Sequence, residues 1–533
     1  MHALPLILIL LVIATILAEY ASKFRISYPI LLVLVGMVIS WVPGLKELEL
    51  PPDVVFLIFL PPLLYAAAWT TNWPDFRASA RPITLLAIGC VLFTTTAVAW
   101  VAQALIPGFG WAEGFLLGAI LSPPDAVAAT AGTKGLGIPR RVIAILEGES
   151  LVNDATGLTA FRYALAAVLT GAFSLWKASG AFLWVAGGGI AIGLALGYVV
   201  RWIHLTTPQR PRLDTSLTLL TPFVSYLLAE ELHASGVLSV VATGLFLSRY
   251  SGQIFNHSVR ITANAVWDVV TYLLNGIVFV FIGLHLPVAA ASLQDGQLKD
   301  AHIYGAVISA TVIVGRILWV FPAAYLPGFL SRRIRAKEGR PDWRLVSLTA
   351  WAGMRGVVSL AAALAVPATL ANGQPFPFRD LIFFITFCVI FATLVLQGLT
   401  LPFLIRWLGI GNAHDDQEVH RARLSVASSA VEYIEENLSY NTLPDEVLAL
   451  IKSKYEIRIG QLNKRLGQAS VPKLDDAQTR AFLHVQLQLL AHERERILAL
   501  RRSGVLDEEA IRQLDYELDL EEARVQLDLE ETE

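Results

Sequence analysis

Three carboxylates, Glu147, Glu149 and Asp154, stand in the stretch EGESLVNDATGL at positions 147–158, inside a run that otherwise reads as membrane-buried. A charge in hydrocarbon is expensive, so such a group faces a wet cavity, a counter-ion or a transported ion. Ser150, Asp154, Gly157 and Phe161 share one helical face. Asp154 lies 12 residues beyond Val142, where the run begins, which is about 18 Å of helix and close to a bilayer midplane. Glu147 is nearer the helix end, where a carboxylate can snorkel to water.

A second anomaly is LGAILSPPDAVAAT, positions 117–130. Pro123 and Pro124 have no N–H and clash with the preceding turn, so the carbonyls of Ala119 and Ile120 lose their helical partners and the helix must break. Asp125 then lies at the same depth as Asp154. Freed carbonyls beside a midplane carboxylate are hard oxygen ligands of the kind that hold an alkali cation. The plainer reading is a proline kink that serves packing alone. The third anomaly is WAGMRGVVSL, positions 351–360, where Arg355 stands between Gly353 and Gly356. A buried guanidinium requires an acidic partner, and glycine on both sides loosens the helix around it. Smaller expectations attach to Arg316, read as half of a structural ion pair, and to Glu230, at the outer end of its span beside Glu231 and His233. Arg162 is expected to snorkel to the outer interface.

The elements that position these groups follow from composition. The chain has 533 residues, 55% hydrophobic and 16% charged, with a mean hydropathy of +0.58, which is too apolar for a soluble globular protein. Apolar runs long enough to cross a bilayer fall near 4–20, 28–43, 54–71, 83–106, 113–132, 141–171, 179–203, 214–233, 235–249, 262–287, 302–327, 345–369 and 380–408. The fold class is an all-α polytopic membrane protein of about thirteen spans. The first run lacks a basic segment before it and reads as a retained helix rather than a signal peptide.

Eighteen Lys and Arg residues fall in or beside the odd-numbered loops against four in the even ones, which puts the odd loops in the cytoplasm and the N-terminus outside. The fifth and twelfth spans occupy the same place in two six-span halves, separated by one span and therefore inverted in the membrane. Interrupted helices at matching places in inverted repeats point to a secondary transporter with a central site. The expected division is a membrane domain over 1–411 and a cytoplasmic tail over 412–533. From Gly411 onward 15 basic and 25 acidic residues give 15 − 25 = −10. Within the tail Leu448, Ile451, Tyr455, Ile459, Leu462 and Leu466 recur at helical spacing, as do Leu483, Leu487 and Leu490, and RRSGVLDEE supplies a turn.

GESLVND at 148–154, GMRG at 353–356, SYLLAEELHASG at 225–236 and LNGIVFVFIGL at 274–284 together resemble the first monovalent cation:proton antiporter family, which includes the NhaP-type bacterial and the animal sodium/proton exchangers. The resemblance covers roughly residues 1–410. It implies an antiporter fold of thirteen helices, a homodimer, and a mobile core that works by elevator-like alternating access. It also implies that Asp154 binds the cation or the proton, that Asn153 is its neutral partner, and that Asp125, Glu149 and Ser150 complete the site. Asp154, Asp125 and Ser150 would then hold the cation, and Arg355 would pair with an acidic residue of the sixth span, Glu149. Many members place a hydroxyl residue before the aspartate of the fifth span and proline after it. Here Pro124 takes the hydroxyl position, which leaves backbone oxygen as the ligand there. The family motif also favours Glu230 over its acidic neighbour.

The expected activity is exchange of Na⁺, with Li⁺ and K⁺ as alternatives, for H⁺ across a bacterial inner membrane. No enzyme activity, cofactor or nucleic-acid partner is expected. An electrogenic antiporter of the related second family is the nearest alternative, and an organic-anion symporter on a similar scaffold the next. A channel would require a pore ring or repeated filter loops that the sequence lacks.

Overall fold

Several helix boundaries follow proline and glycine punctuation, although Pro222, Pro287, Pro322, Pro327 and Pro402 lie inside helices. In the computed structural model the described residues are 12, 28–41, 57–125, 138–171, 175–207, 210–291, 293, 297–370, 373–410, 415–438, 448, 452–453, 455–456, 458–460, 462–463, 476–503 and 508–530. The chain divides into two compact units, Met1–Asn412 and Ala413–Glu533.

The first unit is helical, and no named strand occurs among its described residues. Its principal helices are α1 (Tyr28–Ile39), α2 (Leu60–Thr70), α3 (Ala80–Leu105), α4 (Trp111–Leu121), α5 (Arg140–Thr170), α6 (Leu175–Thr206), α7 (Pro211–Glu231), α8 (Gly236–Ile254), α9 (His257–Ala291), α10 (Gln297–Leu330), α11 (Trp343–Trp351), α12 (Val357–Leu364) and α13 (Arg379–Trp407). Within α3 a π-helical segment spans Leu85–Cys90. The start of α5 follows Pro139, whose extended backbone cannot continue a helix from upstream. Its end is a left-handed Gly171 at φ 66°, whose N–H bonds the carbonyl of Ala167 at 2.9 Å. At the start of α8 the Ser235 hydroxyl accepts from the Leu238 N–H.

Packing in this unit relies on small residues, as expected where lipid supplies no hydrophobic drive between helices. α1 crosses α9 with Gly36 against the Val280 carbonyl and Gly283 against the Val33 carbonyl, so close that a methyl on either glycine would enter the opposing backbone. α5 packs on α4 and, through its first half, on the π-helical segment of α3. α10 packs on α3, α11 and α13. These contacts bring α4, α5, α10 and the α11–α12 pair together.

Both expected breaks are present. α4 ends at Leu121 and residues 123–125 are not helical. α11 ends at Trp351, and α12 resumes at Val357 after five non-helical residues, 352–356. Among the described residues five helical segments are long and apolar enough to cross a bilayer unaided: Ala80–Leu105, Trp184–Thr206, Ser258–Ala291, Leu298–Leu330 and Arg379–Trp407. α5 is 31 residues long, but it carries Arg140, Arg141, Glu147, Glu149, Asp154 and Arg162. The breaks shorten the helices of the fifth and twelfth spans. Apart from Val12, the expected first span, 4–20, lies outside the described residues, as do residues 126–132 of the fifth.

In the second unit α14 (Asp415–Tyr433) runs into a π-helical segment, Ile434–Leu438. α15 (Asp476–Ser503) packs on α16 (Glu508–Glu530) through Leu483, Leu490, Leu518 and Val525. Arg494 bridges the two helices, with Nη2 donating to Asp519 at 2.7 Å and Glu522 at 2.6 Å. Ile451, Leu466 and the turn at 504–507 lie outside the described residues.

Candidate functional site

The two breaks cross, and each satisfies the backbone groups the other has lost. In an unbroken helix the Asp125 N–H would bond the Leu121 carbonyl. Here it bonds the Met354 carbonyl in the second break at 2.7 Å. The vacated Leu121 carbonyl accepts instead from Arg355 Nε at 2.8 Å. Arg355 also donates from Nη2 to the Ser122 carbonyl at 3.4 Å and from Nη1 to the Gly353 carbonyl, while its backbone N–H bonds Thr393 Oγ1 on α13 at 3.1 Å. A guanidinium offers five donors in a rigid fork, and here it spans three backbone acceptors.

The expected pair between Arg355 and Glu149 is therefore corrected: Glu149 belongs to Arg316. Arg316 Nη1 and Nη2 meet the Glu149 oxygens at 2.5 and 2.8 Å, and Nη2 also donates to the Thr349 carbonyl at 3.1 Å. All three side chains, Glu149, Arg316 and Arg355, are buried. The physical reason is supply and demand. The proline break leaves strong carbonyl acceptors beside Arg355, so its charge is spread over peptide dipoles. Arg316, on α10, lies beside Glu149 and takes the carboxylate in a bidentate pair.

Asn153 and Asp154 sit where α5 meets the first break. Asn153 is fully buried, and its Nδ2 donates to the Pro124 carbonyl at 3.0 Å. Because a carbonyl can only accept, that bond fixes the amide orientation. It leaves Asn153 Oδ1 buried with no hydrogen-bond partner among the described residues. Asp154 is 7% exposed and makes no ion pair or hydrogen bond with another described residue; Asp125 is near enough to act on it electrostatically. Gly157, one turn on, admits the Pro123 ring, which would stand 2.9 Å from a methyl there. Gly356 likewise admits the Asp125 carboxylate, which a methyl would strike.

Ser150 is half-buried on the same face of α5. Glu230 is not in this cluster. It bonds Arg162 at 2.8 Å and borders a separate cavity of about 340 Å³ with Thr159, Tyr226 and Ser235, so Arg162 has a partner where snorkelling was expected. Sequence reasoning missed Thr393, a hydroxyl in an apolar helix with no spacing signal, and the Met354 carbonyl, which has no side-chain signature at all. Among the described residues no three His, Cys, Asp or Glu side chains gather as a metal site. The cluster instead combines carboxylates with neutral oxygens.

The transmembrane sodium/hydrogen exchanger family matches residues 7–407. The chain belongs to the sodium/hydrogen exchanger family. This agrees with the antiporter resemblance of GESLVND and GMRG, and it makes the exchanger a multi-pass membrane protein whose relatives move cations against protons. An uncharacterized Na(+)/H(+) exchanger of Mycobacterium tuberculosis is 34% identical over 520 residues, covering 96% of this chain and 94% of that one. A sodium, potassium, lithium and rubidium/H(+) antiporter of Bacillus pumilus is 32% identical over 82% of this exchanger and 66% of its own length. The sodium proton antiporter MjNhaP1 of Methanocaldococcus jannaschii shares the fold, with a TM-score of 0.60 at 21% identity over 76% of this exchanger and 98% of that chain.

Proposed function

We propose that this exchanger moves one monovalent cation against one proton at a single site between the two breaks, electroneutrally, with Na⁺ as the preferred cargo and Li⁺ and K⁺ as further ones. The observation that carries the reading is the Asn153–Asp154 pair. A buried amide oxygen without a partner among the described residues and the Asp154 carboxylate face a break that also holds Asp125, and Ser150 shares the helix face. These are hard oxygen ligands suited to an alkali cation. The Pro124 carbonyl keeps a second lone pair beyond the one Asn153 uses. Cation and proton compete for Asp154, so each crossing carries one or the other. The breadth of the Bacillus relative's name supports Li⁺ and K⁺ as alternatives.

Alternation is proposed as an elevator movement of the helices that hold the breaks, within a homodimer in the bacterial inner membrane. The arginine-rich loops would be cytoplasmic, the N-terminus outside, and thirteen spans would form two inverted halves. The unit after residue 412 would be a cytoplasmic accessory. Eighteen against four basic residues support the orientation.

The stoichiometry rests on Asn153, which cannot titrate beside Asp154. In K⁺-free proteoliposomes with a Na⁺ gradient, a potential set by a gradient of the permeant anion thiocyanate should leave the final pH gradient unchanged. A shift of that gradient with potential would make the exchange electrogenic. Gly356→Ala tests the role of Asp125, because the added methyl displaces its carboxylate. Overpacking of about 1–3 kcal/mol should raise the half-saturating Na⁺ concentration roughly tenfold or more; a wild-type value would remove Asp125 from the cation site.

A further inference from the structure

At the end of the first unit where Arg81 lies in the first turn of α3 and Arg141 in that of α5, a cavity of about 120 Å³ opens between α3, α5, α10 and α11. Leu86, Val142, Ile145, Val320, Ala324 and Val346 form apolar walls, and Arg81, Arg141 and Asp342 are its charged lining residues. Asp342 is already engaged in capping α11, with Oδ1 accepting from the Arg344 N–H at 3.0 Å. The cavity is smaller than the several hundred Å³ of a site that encloses a whole small molecule. It suits one end of a longer ligand.

Its surroundings indicate where the rest of that ligand lies. The last turns of α10 expose Leu326, Phe329 and Leu330, and the first residue of α11 exposes Trp343. Apolar side chains exposed at the end of a membrane helix beside tryptophan mark the boundary between acyl chains and headgroups. The intervening short helix, Arg332–Glu338, reads RRIRAKE and adds four basic residues at that level. An apolar slot under guanidiniums, open to the bilayer boundary, matches an amphiphile with an anionic head.

We propose that this cavity binds an anionic phospholipid of the surrounding bilayer, with its phosphate on Arg81 and Arg141 and its upper acyl carbons against the apolar wall. Arginine matches phosphate geometry with paired donors, and basic pockets between helices take anionic headgroups. Thr349 also lines the cavity, and its carbonyl accepts from Arg316 at 3.1 Å. The lipid would therefore lie next to the buried Glu149–Arg316 pair.

The test uses delipidated full-length protein in neutral detergent, titrated with phosphatidylglycerol, phosphatidylcholine or glycerol phosphate while melting is followed. Phosphatidylglycerol should raise the melting temperature saturably, and the other two should not. At about 1 kcal/mol per arginine, Arg81→Gln with Arg141→Gln should weaken the half-saturating concentration roughly 30-fold. Arg332→Gln with Arg333→Gln, beside the cavity but outside its lining, should weaken it far less; an equal loss would assign the effect to the general basic surface and overturn the site. Should the first pair fail to fold, Ala324→Phe fills the cavity with both arginines intact and must weaken binding in the same way. The proposal is overturned by wild-type affinity in the cavity variants, by an equal response to phosphatidylcholine, or by glycerol phosphate acting alone.

Discussion

Asp154→Asn is expected to abolish Na⁺-dependent proton movement, reducing dye dequenching in everted vesicles to that of vesicles without the protein. The substitution keeps the shape of the side chain and removes the carboxylate for which cation and proton are proposed to compete. The fold should survive, because Asp154 holds no ion pair or hydrogen bond with another described residue whose loss would leave a buried orphan. Removing a buried carboxylate without such a partner costs little and can stabilise, so melting in detergent should be unchanged or slightly raised. Retained exchange in a folded Asp154→Asn protein would move the site elsewhere.

The largest expected stability effect is at Arg316. Arg316→Ala leaves the Glu149 carboxylate buried without its bidentate partner, which should cost about 3–5 kcal/mol and appear as a marked fall in melting temperature. Adding Glu149→Gln removes the stranded charge and should recover much of that loss. The same second change should not rescue Arg355→Ala, whose lost partners are the carbonyls of Leu121, Ser122 and Gly353. If Glu149→Gln rescues Arg355→Ala and leaves Arg316→Ala unrescued, the pairing is the reverse of the one described.

The contrast between these arginines marks how far the sequence could be read. Asp125, Asp154 and Arg355 stood out because a charge at bilayer depth is rare, and both breaks stood out because Pro123, Pro124, Gly353 and Gly356 interrupt apolar runs. Each of those signals is local. Which arginine meets Glu149 is a tertiary choice, made by the carbonyls that one broken helix offers to the other, and no spacing encodes it. The Asp125 N–H to Met354 carbonyl bond is invisible for the same reason, since it joins two backbones. Arg162 read as snorkelling because its partner Glu230 lies 68 residues away on another helix.

The arginines also set a condition on leakage. Around the breaks stand Glu149, Asp125 and Asp154 against Arg316 and Arg355. With every one of these groups ionised, the vacant cluster bears one net negative charge. A single alkali ion or a single proton brings it to zero. A vacant carrier changing sides would drag that charge through hydrocarbon and through the membrane potential, at about 2.3 kcal/mol per 100 mV in addition to the cost of desolvation. Under the proposed one-for-one exchange a loaded one would cross as a neutral body. On the proposed mechanism the second guanidinium, held by carbonyls rather than by a carboxylate, would thus act against slippage: neither ion could run down its gradient unless the return trip carried the other.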